Sequence, residues 1–130
     1  MVILVVEDDP LINLTTSEEL LRAGYEAISA SNADAAVVIL ERRGDIDLVF
    51  TDIDMEGSMD GLTLAYVVRN RWPPVEIIVT SGKQLPRALP ERAIFVPKPY
   101  RTEHLERFSV DVNRNNKGVP RGAQIRFELL

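Results

Sequence analysis

Four or five apolar, β-branched runs recur along the chain, at Val2–Val6, Glu26–Ala30, Leu48–Thr51, Glu76–Thr80 and Ala93–Val96. Segments of helical period separate them. Apolar character with little alternation predicts strands of a parallel sheet covered on both faces. A first helix is expected from Asp9-Pro10, since aspartate caps well and proline suits the first helical position. Leu11, Leu14 and Leu21 are expected to form its inner stripe, with Leu20 beside it and Gly24 at its end. A second helix follows Ser31-Asn32, with Ala33, Ala36, Val37 and Leu40 on one face, and stops by Gly44. A third follows Asp60-Gly61, turns Leu64, Ala65 and Val68 inward, and ends before Pro73-Pro74.

Beyond the third helix the signal weakens. Pro86 and Pro90 restrict the expected fourth helix to one or two turns. A fifth helix is expected near Thr102, carrying Leu105 and Phe108. Residues 1–116 read as one domain and residues 117–130 as a tail, either extended, disordered or a dimer contact. Strand–helix alternation implies right-handed crossovers and a doubly wound α/β fold with strand order 2-1-3-4-5. Such sheets place their site at the carboxyl ends of the strands, near the switch between strands 1 and 3.

Composition narrows the classes. With 130 residues, 45% of them apolar, one core is affordable without staples. The absence of cysteine removes disulfide and thiolate chemistry and fits a cytoplasmic setting. A formal charge of −5 argues against a nucleic-acid surface. No apolar run is long enough to span a membrane, and Met1–Val6 lacks the basic region of a signal peptide.

On that fold Glu7-Asp8-Asp9 follow strand 1, and Asp52 and Asp54 follow strand 3, so both groups reach one rim. Clustered carboxylates repel one another unless a positive charge sits between them, and Mg2+ is the natural oxygen-loving candidate, with Mn2+ as a substitute. Thr80-Ser81 and Lys98 end strands 4 and 5 at the same rim. Carboxylate, metal, hydroxyl and ammonium are the parts needed to move a phosphoryl group.

Five segments in this order resemble the receiver domain of two-component response regulators, over roughly residues 2–110. They are Val5-Val6-Glu7-Asp8-Asp9, Val49-Phe50-Thr51-Asp52, Met59-Asp60-Gly61-Leu62, Val79-Thr80-Ser81-Gly82 and Val96-Pro97-Lys98-Pro99. The resemblance implies a flavodoxin-like fold with Asp52 as phosphoacceptor. It implies that Asp8 and Asp52 bind the metal directly, Glu7 through water and Asp54 by its backbone carbonyl. Thr80 would hold a phosphoryl oxygen, Phe95 would swing with it, and Lys98 would pair with Asp52 or its phosphoryl group. Asp9, Asp60, Gly61 and Pro99 would shape the site, with a cis bond at Lys98-Pro99. The implied donor is a sensor histidine kinase or phosphotransfer protein, and the output an unidentified protein. A homodimer stays open. The only catalysis implied is phosphorylation and dephosphorylation of the chain itself.

Departures from the family pattern are local. Glu56 stands where proline is usual, and Gly57-Ser58 lengthen the loop by one residue. Phe95 lacks a hydroxyl. Ser81 reads as space-filling, Glu56 as a solvated charge, and the lone His104 as neither ligand nor phosphoacceptor. Asp52-Ile53-Asp54 also resembles the nucleophile motif of haloacid-dehalogenase-type phosphatases. Motif order disfavours that rival, because the acidic pair precedes Asp52 rather than following Lys98. A degenerate receiver acting only as a protein-binding module is a second alternative.

Overall fold

The computed structural model describes residues 1–98, together with the backbone of strands at Tyr100–Arg101, Glu106–Asp111 and Gln124–Leu129. Pro99, Thr102, His104 and Leu105 lie outside the described residues, as do the expectations attached to them. The chain runs β1 (Val2–Val6), α1 (Pro10–Arg22), β2 (Glu26–Ala30), α2 (Ala33–Arg42), β3 (Leu48–Asp52), α3 (Gly61–Arg71), β4 (Glu76–Ser81) and β5 (Ala93–Pro97). These five strands form a parallel sheet in the order β2-β1-β3-β4-β5. The expected doubly wound α/β architecture is therefore present.

Each helix starts where its capping residue dictates. Asp9 Oδ1 accepts from the amides of Leu11 and Ile12 at 2.9 and 3.3 Å. Asn32 Oδ1 accepts from Ala35 N, and Asp60 Oδ1 from Thr63 N, each at 2.7 Å. A cap of this kind stabilises by about 1 kcal/mol.

Strand alternation divides the core in two. Leu4, Val6, Val49, Ile77 and Val79 pack with Ala36, Leu40, Leu62, Ala65 and Val68 of α2 and α3. On the other face Ile3, Val5, Leu48, Phe50, Ile78 and Val96 pack with Leu20 of α1. Burying one such side chain stabilises by roughly 1.5–3 kcal/mol.

The inner stripe of α1 is not the one expected. Leu11, Leu14 and Leu21 are 70%, 54% and 53% exposed, while Asn13, Thr16, Ser17 and Leu20 are buried. Hydrogen bonding explains the inversion. Asn13 Nδ2 donates to the carbonyls of Glu7 and Ala30, both at 3.1 Å, and so ties the ends of β1 and β2 together. Ser17 Oγ lies 3.3 Å from Asn13 Oδ1 and 3.2 Å from Ser29 Oγ. Only the buried row can meet these strand-end groups.

No fourth helix forms between β4 and β5, not even the short one expected. Leu85 and Leu89 pack against the core there, and α3 side chains take up the backbone. Tyr66 Oη donates to Ala88 O at 2.5 Å, and Arg69 Nε to Glu91 O at 2.7 Å. Arg87 Nη2 reaches Thr63 Oγ1 at 2.7 Å. Pro86 and Pro90 lack the amide donors a helix would use.

The expected fifth helix is overturned as well. Phe108 lies in a strand, β7 (Glu106–Asp111), which pairs antiparallel with β8 (Gln124–Leu129). With β6 (Tyr100–Arg101) they form a second sheet, β6-β8-β7. Phe108 and Val110 alternate with polar residues, and so do Ile125, Phe127 and Leu129. That is a strand period, and it outweighs the single helical pair Leu105 and Phe108.

The start of α3 is the closest approach among the described glycines. A Cβ on Gly61 would lie 1.8 Å from the Asp52 carbonyl oxygen and 2.8 Å from Thr51 Oγ1. Glycine is required there because the helix begins against the backbone of β3.

Two predictions follow from this packing. Asn13→Ala lowers stability in urea unfolding by about 1–3 kcal/mol, whereas Leu21→Ser stays within about 0.5 kcal/mol; the reverse order would contradict the orientation of α1. Gly61→Ala forces backbone movement and lowers stability by about 1–3 kcal/mol in the same assay; wild-type stability would contradict the close approach.

Candidate functional site

Parallel register brings the chemistry to one rim. Val6 pairs with Thr51, Asp52 with Thr80, and Thr80 with Val96, so the strands end side by side. Asp52 closes β3 and is 4% exposed, while Glu7 follows β1 and is 5% exposed. Asp8 is exposed. Carboxylate oxygens of Glu7, Asp8 and Asp52 lie within 4.8 Å of one another. Glu7 and Asp8 line a cleft of about 390 Å3 together with Asn13 and Ser31.

Among the described residues, Lys98 is the cation that faces this cluster. Its Nζ lies 2.9 Å from Asp52 Oδ2 and 3.5 Å from Glu7 Oε1. The lysine is aimed by its backbone, since Lys98 N donates to Ser81 O at 2.9 Å and extends the β4–β5 pairing by one step. The other Asp52 oxygen, Oδ1, accepts from Asp54 N at 3.1 Å.

One ammonium does not balance three clustered carboxylates. Burial, with the charge of Asp52 and a hydrogen bond involving Asp8, pushes the Glu7 carboxyl up from 4.5 to about 7. The Asp9 amide, bonded to Glu7 Oε2 at 3.1 Å, and the Lys98 charge oppose this rise. An all-oxygen donor set with surplus negative charge fits a hard divalent cation such as Mg2+, which neutralises the cluster without needing many protein ligands.

Thr80 is 1% exposed, and its Oγ1 is buried with no hydrogen-bond partner among the described residues. A buried hydroxyl without a partner is costly, and this one stands in register with Asp52. Asp9 and Asp60 cap helices, as described above. The Asp54 side chain turns away from the cluster and accepts from Ser81 Oγ at 2.7 Å. Phe95 is not gathered into the rim. It is in register with Val79 and packs on the α2–α3 face with Leu85 and Leu89, whereas alternation sends Thr80 to the opposite face.

The lengthened loop is held from outside. Ser58 Oγ donates to Asp34 Oδ1 and Oδ2 at 2.8 and 2.6 Å, and Gly57 takes a positive φ of 124°. Glu56 is exposed. Sequence reasoning missed Asn13, and it placed Ser81 at the rim but read it as space-filling. A serine or asparagine looks the same in sequence whether it faces solvent or ties strand ends together.

Comparison with known proteins agrees with this geometry. The family model described as "Response regulator receiver domain" matches residues 3–107. The response regulator protein FleR of Pseudomonas aeruginosa is 35% identical over 80 residues, covering 62% of this chain and 16% of FleR. The nitrogen assimilation regulatory protein NtrX of Azorhizobium caulinodans is 32% identical over 109 residues, covering 79% of this chain and 24% of NtrX. The chain thus spans about a quarter or less of these curated relatives. Among solved structures, the response regulator TrrA of Thermotoga maritima in complex with Mg2+-BeF matches with a TM-score of 0.60 and 36% identity, covering 64% of this chain and 70% of that one. A complex of the histidine kinase ThkA with TrrA matches with a TM-score of 0.64 and 33% identity, covering 75% and 85%. Strand order, rim chemistry and these matches agree: the chain belongs to the response regulator receiver domain family.

Proposed function

We propose that the chain accepts a phosphoryl group on Asp52 from a phosphohistidine and signals through the altered rim. The observation that carries this reading is the placement of Asp52: nearly buried, clustered with Glu7 and Asp8, and bonded to Lys98. An Asp52 carboxylate oxygen attacks phosphorus, the P–N bond breaks with its electron pair going to the ring nitrogen, and a neutral imidazole leaves whose proton was already on the other ring nitrogen of the phosphohistidine. With acetyl phosphate the P–O bond to the acetyl group breaks and acetate leaves. Water later attacks phosphorus, releases inorganic phosphate and restores Asp52. This reaction on the chain itself is all the catalysis proposed.

Mg2+ or Mn2+, held by Asp8, Asp52 and the Asp54 backbone carbonyl, with Glu7 acting through water, would neutralise charge on the phosphoryl oxygens. Lys98 holds the acceptor carboxylate, offsets its charge, and stays beside the phosphoryl group afterwards. Thr80 Oγ1, buried without a partner among the described residues, supplies a hydroxyl donor for a phosphoryl oxygen. Phe95 as a moving partner of Thr80 requires coupling through the sheet, because the two residues face opposite sides.

The ThkA–TrrA complex supports a histidine kinase as donor, and a phosphotransfer protein would present the same chemistry. The downstream partner is another protein, and we place the chain in the cytoplasm. No helix among the described residues is long and apolar enough to cross a membrane. We take residues 1–116 as the receiver unit and residues 117–130 as its tail. The phosphatase alternative would need an acidic partner placed after Lys98. The clustered acids follow β1 and β3 instead.

Incubation with acetyl phosphate and MgCl2, followed by intact mass, tests the reading: wild type gains one phosphoryl group and Asp52→Asn gains none. No gain in the wild type, with Mg2+ shown to bind, counts against it and favours the binding-module alternative.

The raised Glu7 carboxyl gives a pH prediction with a fixed sign. Between 4.5 and about 7 the metal-free fold holds a proton that the unfolded chain has lost, so this contribution to stability falls as pH rises through that window. A cation prefers the ionised form. Mg2+ affinity therefore falls as pH drops from 8 to 6, by up to about tenfold per unit below 7. Calorimetric titration shows this slope in the wild type and a flatter one in Glu7→Gln; equal slopes would exclude Glu7 as its source.

A further inference from the structure

We propose that Ser81 is a positioning residue for the phosphoacceptor, fixing the Asp54 loop with its hydroxyl and Lys98 with its carbonyl; this rests on the reading of Asp52 above. Ser81 ends β4 and is 2% exposed. Its Oγ accepts from Lys83 N at 3.0 Å, which leaves its one proton directed at Asp54 Oδ2, 2.7 Å away. Its carbonyl accepts from Lys98 N at 2.9 Å.

Followed outward, these bonds reach both oxygens of Asp52. Asp54, held by the Ser81 hydroxyl, donates its amide to Asp52 Oδ1 at 3.1 Å. Lys98, held by the Ser81 carbonyl, donates Nζ to Asp52 Oδ2 at 2.9 Å. One small residue therefore connects the segments after β3, β4 and β5, and the carboxylate is oriented from both sides. The hydroxyl bond to an ionised acceptor is of the stronger, charge-assisted kind. The Ser81 end of this bond is buried, while Asp54 is exposed.

Substitution separates the two halves. Ser81→Ala keeps the carbonyl bond to Lys98 and deletes both hydroxyl bonds, so it isolates the Asp54 arm. In metal-free protein, amide exchange at Asp54 and Lys83 should quicken about tenfold while core amides stay unchanged. The rate constant for phosphorylation by acetyl phosphate with Mg2+ should fall about five- to tenfold.

A double-mutant cycle with Asp54→Ala tests whether Ser81 acts through Asp54. The double variant should then be no slower than the slower single variant. If Ser81→Ala does not fold, Asp54→Ala alone carries the test, since it removes the same bond and should show the same loss. Unchanged exchange and rate in the variant tested would overturn the proposal, as would losses that multiply in the double variant. Failure of the wild type to be phosphorylated would instead defeat the reading of Asp52, and the exchange measurement would still decide the role of Ser81.

Discussion

Among the described residues, three carboxylates converge at the rim of the sheet with one lysine to face them, and the surrounding structure is arranged around that repulsion. The crowding follows from topology. Parallel strands end at one edge, and β1 and β3 are neighbours, so Glu7-Asp8 and Asp52 cannot be kept apart. The Glu7 carboxyl is pushed up to about 7 chiefly by burial, with the charge of Asp52 adding to the rise and that of Lys98 opposing it. Electrostatic strain of this kind is retained only where the backbone holds it from several sides. Here the constraints are the Gly61 approach to the Asp52 carbonyl, the Asp54 amide on Oδ1 and the Lys98 amide on Ser81.

The same demand explains the unusual face of α1. A leucine row turned inward would bury more apolar area but leave the carbonyls at the ends of β1 and β2 with fewer donors. The chain buries Asn13 and Ser17 instead and exposes Leu11, Leu14 and Leu21. Burying a polar group is acceptable when its hydrogen bonds are complete. Asn13 spends its amide on two carbonyls at the base of Glu7 and Ala30, and so holds the β1–β2 end of the rim.

Legibility in the sequence followed the kind of physics involved. The three central strands were readable because burial on both faces keeps Val2–Val6 and the segments 48–50 and 77–79 apolar. The cap at Asp9 was readable because a short acceptor side chain before proline suits a helix start, whereas Ser31 and Asn32 stayed open as caps of the second helix until the structure assigned Asn32. The acids and Lys98 could be placed once the strands were, since the rim follows from topology. The inward face of α1 was not readable, because periodicity weighs hydrophobicity and cannot see the strand-end carbonyls Asn13 serves. The C-terminal pairing misled for another reason: a single helical pair was weighed above the alternation of Phe108 with Val110 and of Ile125 with Phe127. Ser81 passed as filler because its partners, Asp54, Lys83 and Lys98, are brought to it only by the sheet.

Helix α3 joins these parts mechanically. Its cap, Asp60, accepts from Thr63 N and lies 3.8 Å from Arg87, its first residue abuts the Asp52 carbonyl, and Thr63, Tyr66 and Arg69 along one side hold Arg87, Ala88 and Glu91. The segment between β4 and β5 thus lacks a helix yet is not left loose. It is fixed to the same rigid element that rests on the strand ending in Asp52. Side-chain bonds to a backbone can be broken one at a time, whereas a helix tends to form or melt as a unit. In this receiver the segment following Thr80 and Ser81 is therefore coupled to the site through a row of separate contacts, and its position depends on where α3 meets Asp52.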